Sequence, residues 1–232
     1  MIDKLLINNI KQKVTEILNS DNSGHGIDHV NRVLNLSLKF AHKEKANENI
    51  VTLIALLHDV DDYKLFGSKN AEKLTNAKNI MNTYQVSKEI QHQVLDELKC
   101  IGYSKSLKGI RPKTIEGKVV SDADMCDSLG VCGILRTYTY SLKKGKPFFN
   151  KNIFPIENIK ANEYNTTKCA ASSVNHVFEK ILKLRDLMMT DSGRDEAKSR
   201  YQIVVDILYH LFEEESVPEW TEYLNQYLGV KI

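Results

Sequence analysis

Hydrophobic residues recur at intervals of three and four along most of the chain, which is the spacing of an amphipathic α-helix. The chain has four prolines in 232 residues and none before Pro112, so proline interrupts no helix in the first half. The pattern predicts helices over residues 5–18, 27 or 28 to about 43, 49–59, 71–84, 87–100, 114 to about 129, 174–189 and 196–215. Asp191 or Ser192 is placed to cap the last of these helices. The sequence therefore predicts an all-α protein.

The segment 49–59 is apolar on nearly all sides and ends in His58-Asp59. Such a helix suits the centre of a bundle, where other helices surround it. An unpaired carboxylate at the end of so apolar a helix is costly, so Asp59 requires a compensating partner. A divalent cation is one such partner, because imidazole and carboxylate together suit zinc, manganese or iron. The alternative is a helix-end acid beside a hydrogen-bonded histidine, which is the commoner case for an isolated His-Asp pair.

Composition narrows the classes of function without choosing among them. Lys and Arg number 32 against 30 Asp and Glu, so bulk charge favours neither a nucleic-acid backbone nor an anionic membrane. The first residues include an acid, Asp3, and lack the apolar run of a signal peptide or membrane span, so we expect a cytoplasmic protein. Four cysteines without a C-x-x-C pair predict reduced, mostly packed thiols. Any attraction for an anionic ligand must therefore be local.

Metal-capable residues also stand beside the apolar stripes of other predicted helices. Residues 24–33 read GHGIDHVNRV, residues 55–62 read ALLHDVDD and residues 122–130 read DADMCDSLG. The ordered set of His29, then His58-Asp59, then Asp124 resembles the H…HD…D signature of the HD-domain superfamily of metal-dependent phosphohydrolases. The short sequence segments around these residues, together with NHVFEKILKL at 175–184 and MMT at 188–190, are similar to those of one bacterial-type subgroup of small, stand-alone HD hydrolases. The resemblance spans almost the whole chain.

This resemblance implies an all-α, single-domain HD-type helical bundle over residues 1–232. A metal-site core at about 24–130 would be completed by C-terminal helices at about 170–230 that pack on it. The resemblance also implies one divalent metal ion (Mn, Co, Ni, Fe, Mg or Zn) held by His29, His58, Asp59 and Asp124. HD proteins with two metals use further histidines between the His-Asp pair and the last Asp. Here that interval contains only His92, which favours a single metal.

Several acids accompany the signature. Asp62 follows Asp59 by three residues and His58 by four, so a continuing helix would put it on their face. In several HD hydrolases an acid at this position transfers protons, so Asp62 is the expected catalytic residue. A capping acid on a solvent turn is the alternative. Asp61 is expected to point elsewhere, and Asp122 and Asp127 are expected to support the ligands or cap a helix.

The candidates for substrate binding are Arg32, Lys64, Lys69, His25 and Lys180. Arg32 lies three residues after His29 on the same helical face, within reach of a phosphate oxygen or, equally, of a nearby acid. Each lysine is also consistent with a solvated surface residue. His25 precedes His29 by four residues, but Gly24 and Gly26 on either side indicate a turn before the helix, from which His25 would line the cleft without binding metal.

The resemblance predicts hydrolysis of a small phosphate ester or anhydride, with a nucleotide as the favoured substrate class. Attack at an internal or a terminal phosphorus is left open. The alternatives are a metal- and nucleotide-binding HD sensor without turnover, and a helical scaffold whose buried His and Asp only bond each other. No nucleic-acid polymer or membrane is expected as a partner, and a homodimer is left open. The segment 145–167 is predicted to be irregular, with Tyr138, Tyr140, Phe148 and Phe149 nearby as candidates for a lid, a base-stacking wall or a dimer contact.

Overall fold

The computed structural model describes residues 3–19, 26–156 and 171–230, and these residues are helical without a β-strand. The helices are α1 (Lys4–Leu18), α2 (Ile27–Glu44), α3 (Glu48–Leu57), α4 (Tyr63–Phe66), α5 (Ser68–Lys73), α6 (Thr75–Thr83), α7 (Lys88–Leu98), α8 (Tyr103–Ser106), α9 (Ile115–Asp127), α10 (Gly130–Lys143), α11 (Ser173–Glu179), α12 (Asp191–Glu214) and α13 (Pro218–Leu228). A 3₁₀ helix at Ile181–Leu187 precedes α12. None of these described helices has the length and apolarity needed to cross a membrane. The all-α prediction is confirmed.

The chain divides into two compact units. The first unit consists of Met1–Asp127 and Leu187–Arg194, and the second of Ser128–Asp186 and Asp195–Ile232. The organisation as one domain over residues 1–232 stays a prediction.

Helix α3 lies at the centre of the first unit, where α1, α2, α7 and α9 contact it. Every side chain from Ile50 to Leu57 is buried, which is why this segment is apolar on all sides. The Asn47 side chain begins the helix by accepting hydrogen bonds from the backbone N–H groups of Asn49 and Ile50. The helix ends at Leu57 and a turn follows, so His58 and Asp59 emerge from the most buried element of the unit.

Helix α9 is held in the first unit by two buried carboxylates. Glu97 on α7 accepts hydrogen bonds from the backbone N–H groups of Lys113 and Thr114 just before α9 begins. Asp122, within α9, accepts from the backbone N–H groups of Met189 and Thr190 and from the Thr190 hydroxyl. The approach at Gly193 is close, since a Cβ there would lie 2.3 Å from Asp122 Oδ2. These bonds fix the helix that carries Asp124.

The expected helix at 71–84 is wrong as a single element. It divides into α5 and α6 at Leu74, whose φ of 51° lies in the left-handed region. The carboxylate of Asp61 accepts hydrogen bonds from the N–H groups of Asn76 (2.8 Å) and Ala77 (2.9 Å), so α6 begins where this acid can cap it. Asp61, which was expected only to point elsewhere than the signature residues, is directed at the first turn of α6.

Two predictions near the C-terminal region are also corrected. The helix expected at 174–189 ends at Glu179 and is replaced by the 3₁₀ helix, and the buried Glu179 accepts a hydrogen bond from the Ile156 N–H. The last long helix begins at Asp191, so neither Asp191 nor Ser192 caps it; the Thr190 hydroxyl oxygen instead accepts from the Gly193 N–H. A contact from outside the segment accompanies the first change, whereas the second is a local cap one residue earlier than expected.

The second unit is built around aromatic side chains. Trp220 is fully buried, stacks on Phe154 with ring centroids 4.4 Å apart and donates its indole N–H to the Lys151 carbonyl at 3.0 Å. Phe149 meets the Trp220 ring edge-on at 4.9 Å and also contacts Phe212. Residues 145–156 are irregular, as predicted, and Phe149 and Phe154 pack them onto this aromatic cluster; residues 157–170 lie outside the described part of the chain.

The expectation of mostly packed thiols holds for one of the three described cysteines. Cys126 is buried, Cys100 is half-buried and Cys132 is exposed, and none of these three described cysteines forms a disulfide. Cys132 stands in α10, a helix that the hydrophobic pattern did not predict, whereas Cys169 lies outside the described residues.

Candidate metal centre

Four donor atoms converge in the first unit, from α2, from the turn after α3 and from α9. The Nε2 atom of His29 lies 3.1 Å from Nε2 of His58, 3.3 Å from Oδ2 of Asp59 and 3.4 Å from Oδ1 of Asp124. The His58 Nε2 atom lies 3.6 Å and 3.9 Å from the same two carboxylate oxygens. The structure thus brings together the four residues that the sequence signature selected.

Hydrogen bonds turn both imidazoles toward this cluster. The Nδ1 atom of His58 lies 2.8 Å from the carbonyl oxygen of Ala55, and the Nδ1 atom of His29 lies 2.7 Å from Oδ2 of Asp127. Carbonyl and carboxylate oxygens only accept hydrogen bonds, so each Nδ1 carries the proton. Each Nε2 therefore presents a lone pair to the centre, which is the arrangement of metal-binding histidines.

The donor set fits one divalent cation. Two imidazole lone pairs and two carboxylate oxygens are all acceptors, so their convergence requires a positive charge between them. Ligands about 2.1 Å from a shared ion are roughly 3.0–3.5 Å apart at ordinary coordination angles, and the shorter separations here lie in that range. The donor atoms of His29, His58 and Asp59 all lie within 4.8 Å of one another, and Asp124 Oδ1 lies within 3.9 Å of both histidines.

The cluster is buried on its histidine side and open on its carboxylate side. Both histidine side chains are 1% exposed, whereas those of Asp59 and Asp124 are 12% and 24% exposed. Burial raises the pKa of Asp124, but when the imidazoles are protonated a hydrogen bond from His29 and the positive charges of His58 and His29 outweigh this, so its pKa lies below its usual range. Asp124 is thus a carboxylate at neutral pH, and a water or substrate oxygen has access beside it.

Asp127, the last residue of α9, joins the cluster to Arg32. Besides meeting His29, it accepts hydrogen bonds from Arg32 Nε at 2.7 Å and from Arg32 Nη2 at 3.1 Å. Of the two alternatives for Arg32, the structure contains the ion pair with a nearby acid, and the phosphate contact stays a prediction. Asp127 supports a candidate ligand, as expected for one of the acids that flank Asp124.

Two further acids close to the signature, Asp61 and Asp122, hydrogen-bond backbone N–H groups rather than the donor atoms. Burial raises the pKa of Asp61, and the N–H groups of Ala77 and Asn76 partly oppose the shift. Burial also raises the pKa of Asp122, against its hydrogen bonds from Met189 and Thr190. Both carboxylates fix neighbouring backbone, so their roles are structural.

Asp62 is half-buried, but it does not stand on a continuation of α3. The helix ends at Leu57, and the Asp62 N–H donates to the Asp59 carbonyl across the turn that follows. The argument that a continuous helix places Asp62 on the face of His58 is therefore wrong, and the catalytic role of Asp62 stays a prediction that rests on the resemblance.

Lys105 in α8 is a charged neighbour of Asp62 that sequence reasoning missed. Its Nζ donates to the Leu98 carbonyl at 2.9 Å, burial lowers its pKa, and the negative charge of Asp62 opposes that shift. No local signal marks this lysine, because it lies 43 residues from Asp62 in the sequence.

The remaining candidates for substrate binding belong to different elements of the chain. Lys69 is exposed on α5, and Lys180 follows α11 in the second unit, where its N–H donates to the His176 carbonyl. Lys64 belongs to α4, but its side chain lies outside the described residues, as does the whole of His25. Their contacts with substrate stay predictions.

Fold and site together define an all-helical protein with a candidate centre for one divalent metal. The HD domain family model matches residues 26–129, which contain all four donor residues. The Bacillus subtilis protein YpgQ is 30% identical over 210 residues, which cover 90% of this chain and 92% of YpgQ. The chain belongs to the HD-domain superfamily.

Solved structures agree with this assignment. A protein from Lactobacillus plantarum superposes with a TM-score of 0.79 at 31% identity, covering 96% of this chain and 100% of the other. A Bacillus thuringiensis protein described as an HD-superfamily hydrolase superposes with a TM-score of 0.69 at 29% identity, covering 91% of this chain and 97% of its own. YpgQ in complex with ADP gives 0.68 at 26% identity, with 90% and 95% covered. The predicted HD-type helical fold is confirmed.

Proposed function

We propose that this protein is a divalent-metal-dependent phosphohydrolase that acts on a small phosphate ester or anhydride, with a nucleotide as substrate class. The observation that carries the proposal is the convergence of two oriented imidazole nitrogens and two carboxylate oxygens, open to solvent on one side. Membership of a superfamily that includes a described hydrolase supports the reaction class.

His29, His58, Asp59 and Asp124 would hold the metal ion. When bound, a divalent ion neutralises charge on phosphate oxygens and makes water more acidic, which are two effects that phosphoryl hydrolysis needs. The two carboxylates balance its charge, and the mixed nitrogen and oxygen set suits Mn, Fe, Co, Ni or Zn better than Mg. Asp62 would accept the proton of the attacking water or return one to the leaving group.

A nucleotide is favoured because the related YpgQ was crystallised in complex with ADP. A polyphosphate needs local positive charge, since the chain as a whole carries a formal net charge of only +2. Arg32, Lys64 and Lys69 would supply this charge, and His25 would line the cleft. Binding of ADP by a relative is equally compatible with a sensor that holds nucleotide without turnover, so turnover itself must be measured.

The test is an assay of purified protein with manganese, cobalt, nickel, magnesium or zinc and a panel of nucleoside mono-, di- and triphosphates. Pyrophosphate and orthophosphate are scored separately, which decides between internal and terminal attack. Asp59→Ala should lose activity, and Asp28→Ala, which removes an exposed acid beside His29, should keep it. Nucleotide binding without product above the Asp59→Ala background would establish the sensor instead. Absence of stoichiometric metal from protein purified without chelator would favour the scaffold.

A further inference from the structure

Asp127 is a buried carboxylate that bridges two residues of α2. Its side chain is 2% exposed; one of its oxygens meets His29 Nδ1 at 2.7 Å and the other meets Arg32 Nε at 2.7 Å. His29 and Arg32 are one helical turn apart, so a single acid at the end of α9 bridges both. All three residues belong to the first unit.

We propose that Asp127 and Arg32 form a positioning pair that keeps the proton of His29 on Nδ1, so that Nε2 presents a lone pair to a metal. The inference rests on the proposed function in that it assigns His29 as a ligand. It adds that the choice of tautomer at His29 is made by a residue 98 positions away and by the arginine that donates hydrogen bonds to that residue.

The guanidinium makes this choice firm because it donates hydrogen bonds and does not lose its proton. Arg32 supplies two N–H donors to the two oxygens of Asp127, which compensates the charge of an acid that is otherwise buried. A carboxylate paired in this way remains an acceptor. The hydrogen bond left for His29 is therefore one that it must donate, from Nδ1–H.

His58 reaches the same tautomer by a different means. Its Nδ1 donates to the backbone carbonyl of Ala55, an acceptor that no side-chain substitution can convert to a donor. The tautomer of His29 alone is therefore open to change by mutation, through Asp127.

An asparagine at position 127 would place the two α2 residues in conflict. Its one oxygen is drawn to Arg32 Nε, where the bond is 2.7 Å and the donor cannot become an acceptor. The amide NH₂ then faces His29 Nδ1 and donates to it, which moves the imidazole proton to Nε2 and removes the metal-binding lone pair. Removing Arg32 as well, with Arg32→Met, lets the amide turn its oxygen toward His29. The second substitution should therefore repair part of the damage of the first.

The experiment compares wild type, Asp127→Asn and Asp127→Asn/Arg32→Met by calorimetric titration of metal-free protein with Mn²⁺ or Co²⁺. We expect Asp127→Asn to weaken metal binding by about 10- to 100-fold, and the double variant to recover about 3-fold or more. Asp28→Asn is the control, since Asp28 adjoins His29 on α2 but is exposed; its metal affinity should stay within about 2-fold of wild type. A double variant that binds no tighter than Asp127→Asn, or unchanged affinity in Asp127→Asn, overturns the proposal.

A second readout needs neither metal nor a variant that folds. Imidazole ¹⁵N shifts of metal-free wild-type protein at about pH 8.5, above the ordinary histidine pKa of about 6.5, report which nitrogen of His29 carries the proton. Protonated Nδ1 is expected, and protonated Nε2 overturns the proposal. If wild type binds no metal, the proposed function fails, yet these shifts still decide the tautomer, so the two failures are distinguishable.

Discussion

The two compact units bury different kinds of side chain. The described part of the first unit contains five buried acids: Asp59, Asp61, Glu97, Asp122 and Asp127. Among the described residues of the second unit, Glu179 is the one buried acid, and the centre consists of Trp220, Phe178 and Phe212. Burial of a charge is costly unless it is paired or hydrogen-bonded, whereas burial of an aromatic ring is favourable by itself. In the first unit, buried acids must therefore be compensated by hydrogen bonds and ion pairs, which fix polar side chains in place. The second unit is stabilised by the packing of aromatic rings.

The largest effect expected from this contrast is on the proposed metal site. Asp59→Ala should remove a charged ligand and with it most of the contribution of the metal, which is worth several kcal/mol, so kcat should fall about 10⁴-fold. Steady-state kinetics and metal analysis measure this directly. The control is Asp28→Ala, which changes an exposed acid next to the ligand His29. If Asp59→Ala retains as much metal and turnover as this control, the assignment of Asp59 is wrong.

Trp220→Ala tests the second unit, where we expect a loss of stability rather than a loss of metal binding. The indole is fully buried among aromatic rings, so we expect its removal to lower the free energy of unfolding by about 3–5 kcal/mol. Urea unfolding followed by circular dichroism gives the value. Metal affinity of the folded protein should remain near that of wild type. A loss below about 1 kcal/mol would show that the aromatic cluster does not stabilise the protein as described.

Asp62→Asn separates catalysis from metal binding inside the first unit. Loss of a proton-transfer group should lower kcat about 10²-fold while KM and bound metal stay unchanged. Glu48→Gln, which changes an exposed acid in the first turn of α3, serves as a control and should have no effect. Full turnover in Asp62→Asn with an intact metal site would reject the catalytic role.

The smallest expected effect concerns the half-buried cation Lys105. Because burial lowers its pKa, the folded protein binds fewer protons than the unfolded chain between this lowered value and about 10.4. Stability contributed by this group therefore rises with pH through that window and is lost as pH falls through the folded pKa. The Tm of wild type relative to Lys105→Met should accordingly rise between pH 7 and about pH 10. A Tm difference that does not change with pH would contradict the assignment.

Periodicity predicted the helices that bury one continuous stripe, and it failed where another part of the chain sets the boundary. The ends of helices α2 and α9 differ from the expected ranges by at most two residues. The division of 71–84 depends on Asp61, and the end of α11 coincides with the bond from Ile156 to Glu179. No pattern within those segments encodes such partners.

The sequence by itself determined the all-helical class and the donor types at the candidate site. The spacing of apolar residues indicates which face of a helix is buried, and short sequence motifs identify His29, His58, Asp59 and Asp124. Only the tertiary structure decided that Arg32 pairs with Asp127 and that His29 turns its Nε2 atom inward. The reason is physical: helix formation depends on neighbours three and four residues away, whereas the direction of an imidazole lone pair depends on a hydrogen-bond partner 98 residues distant.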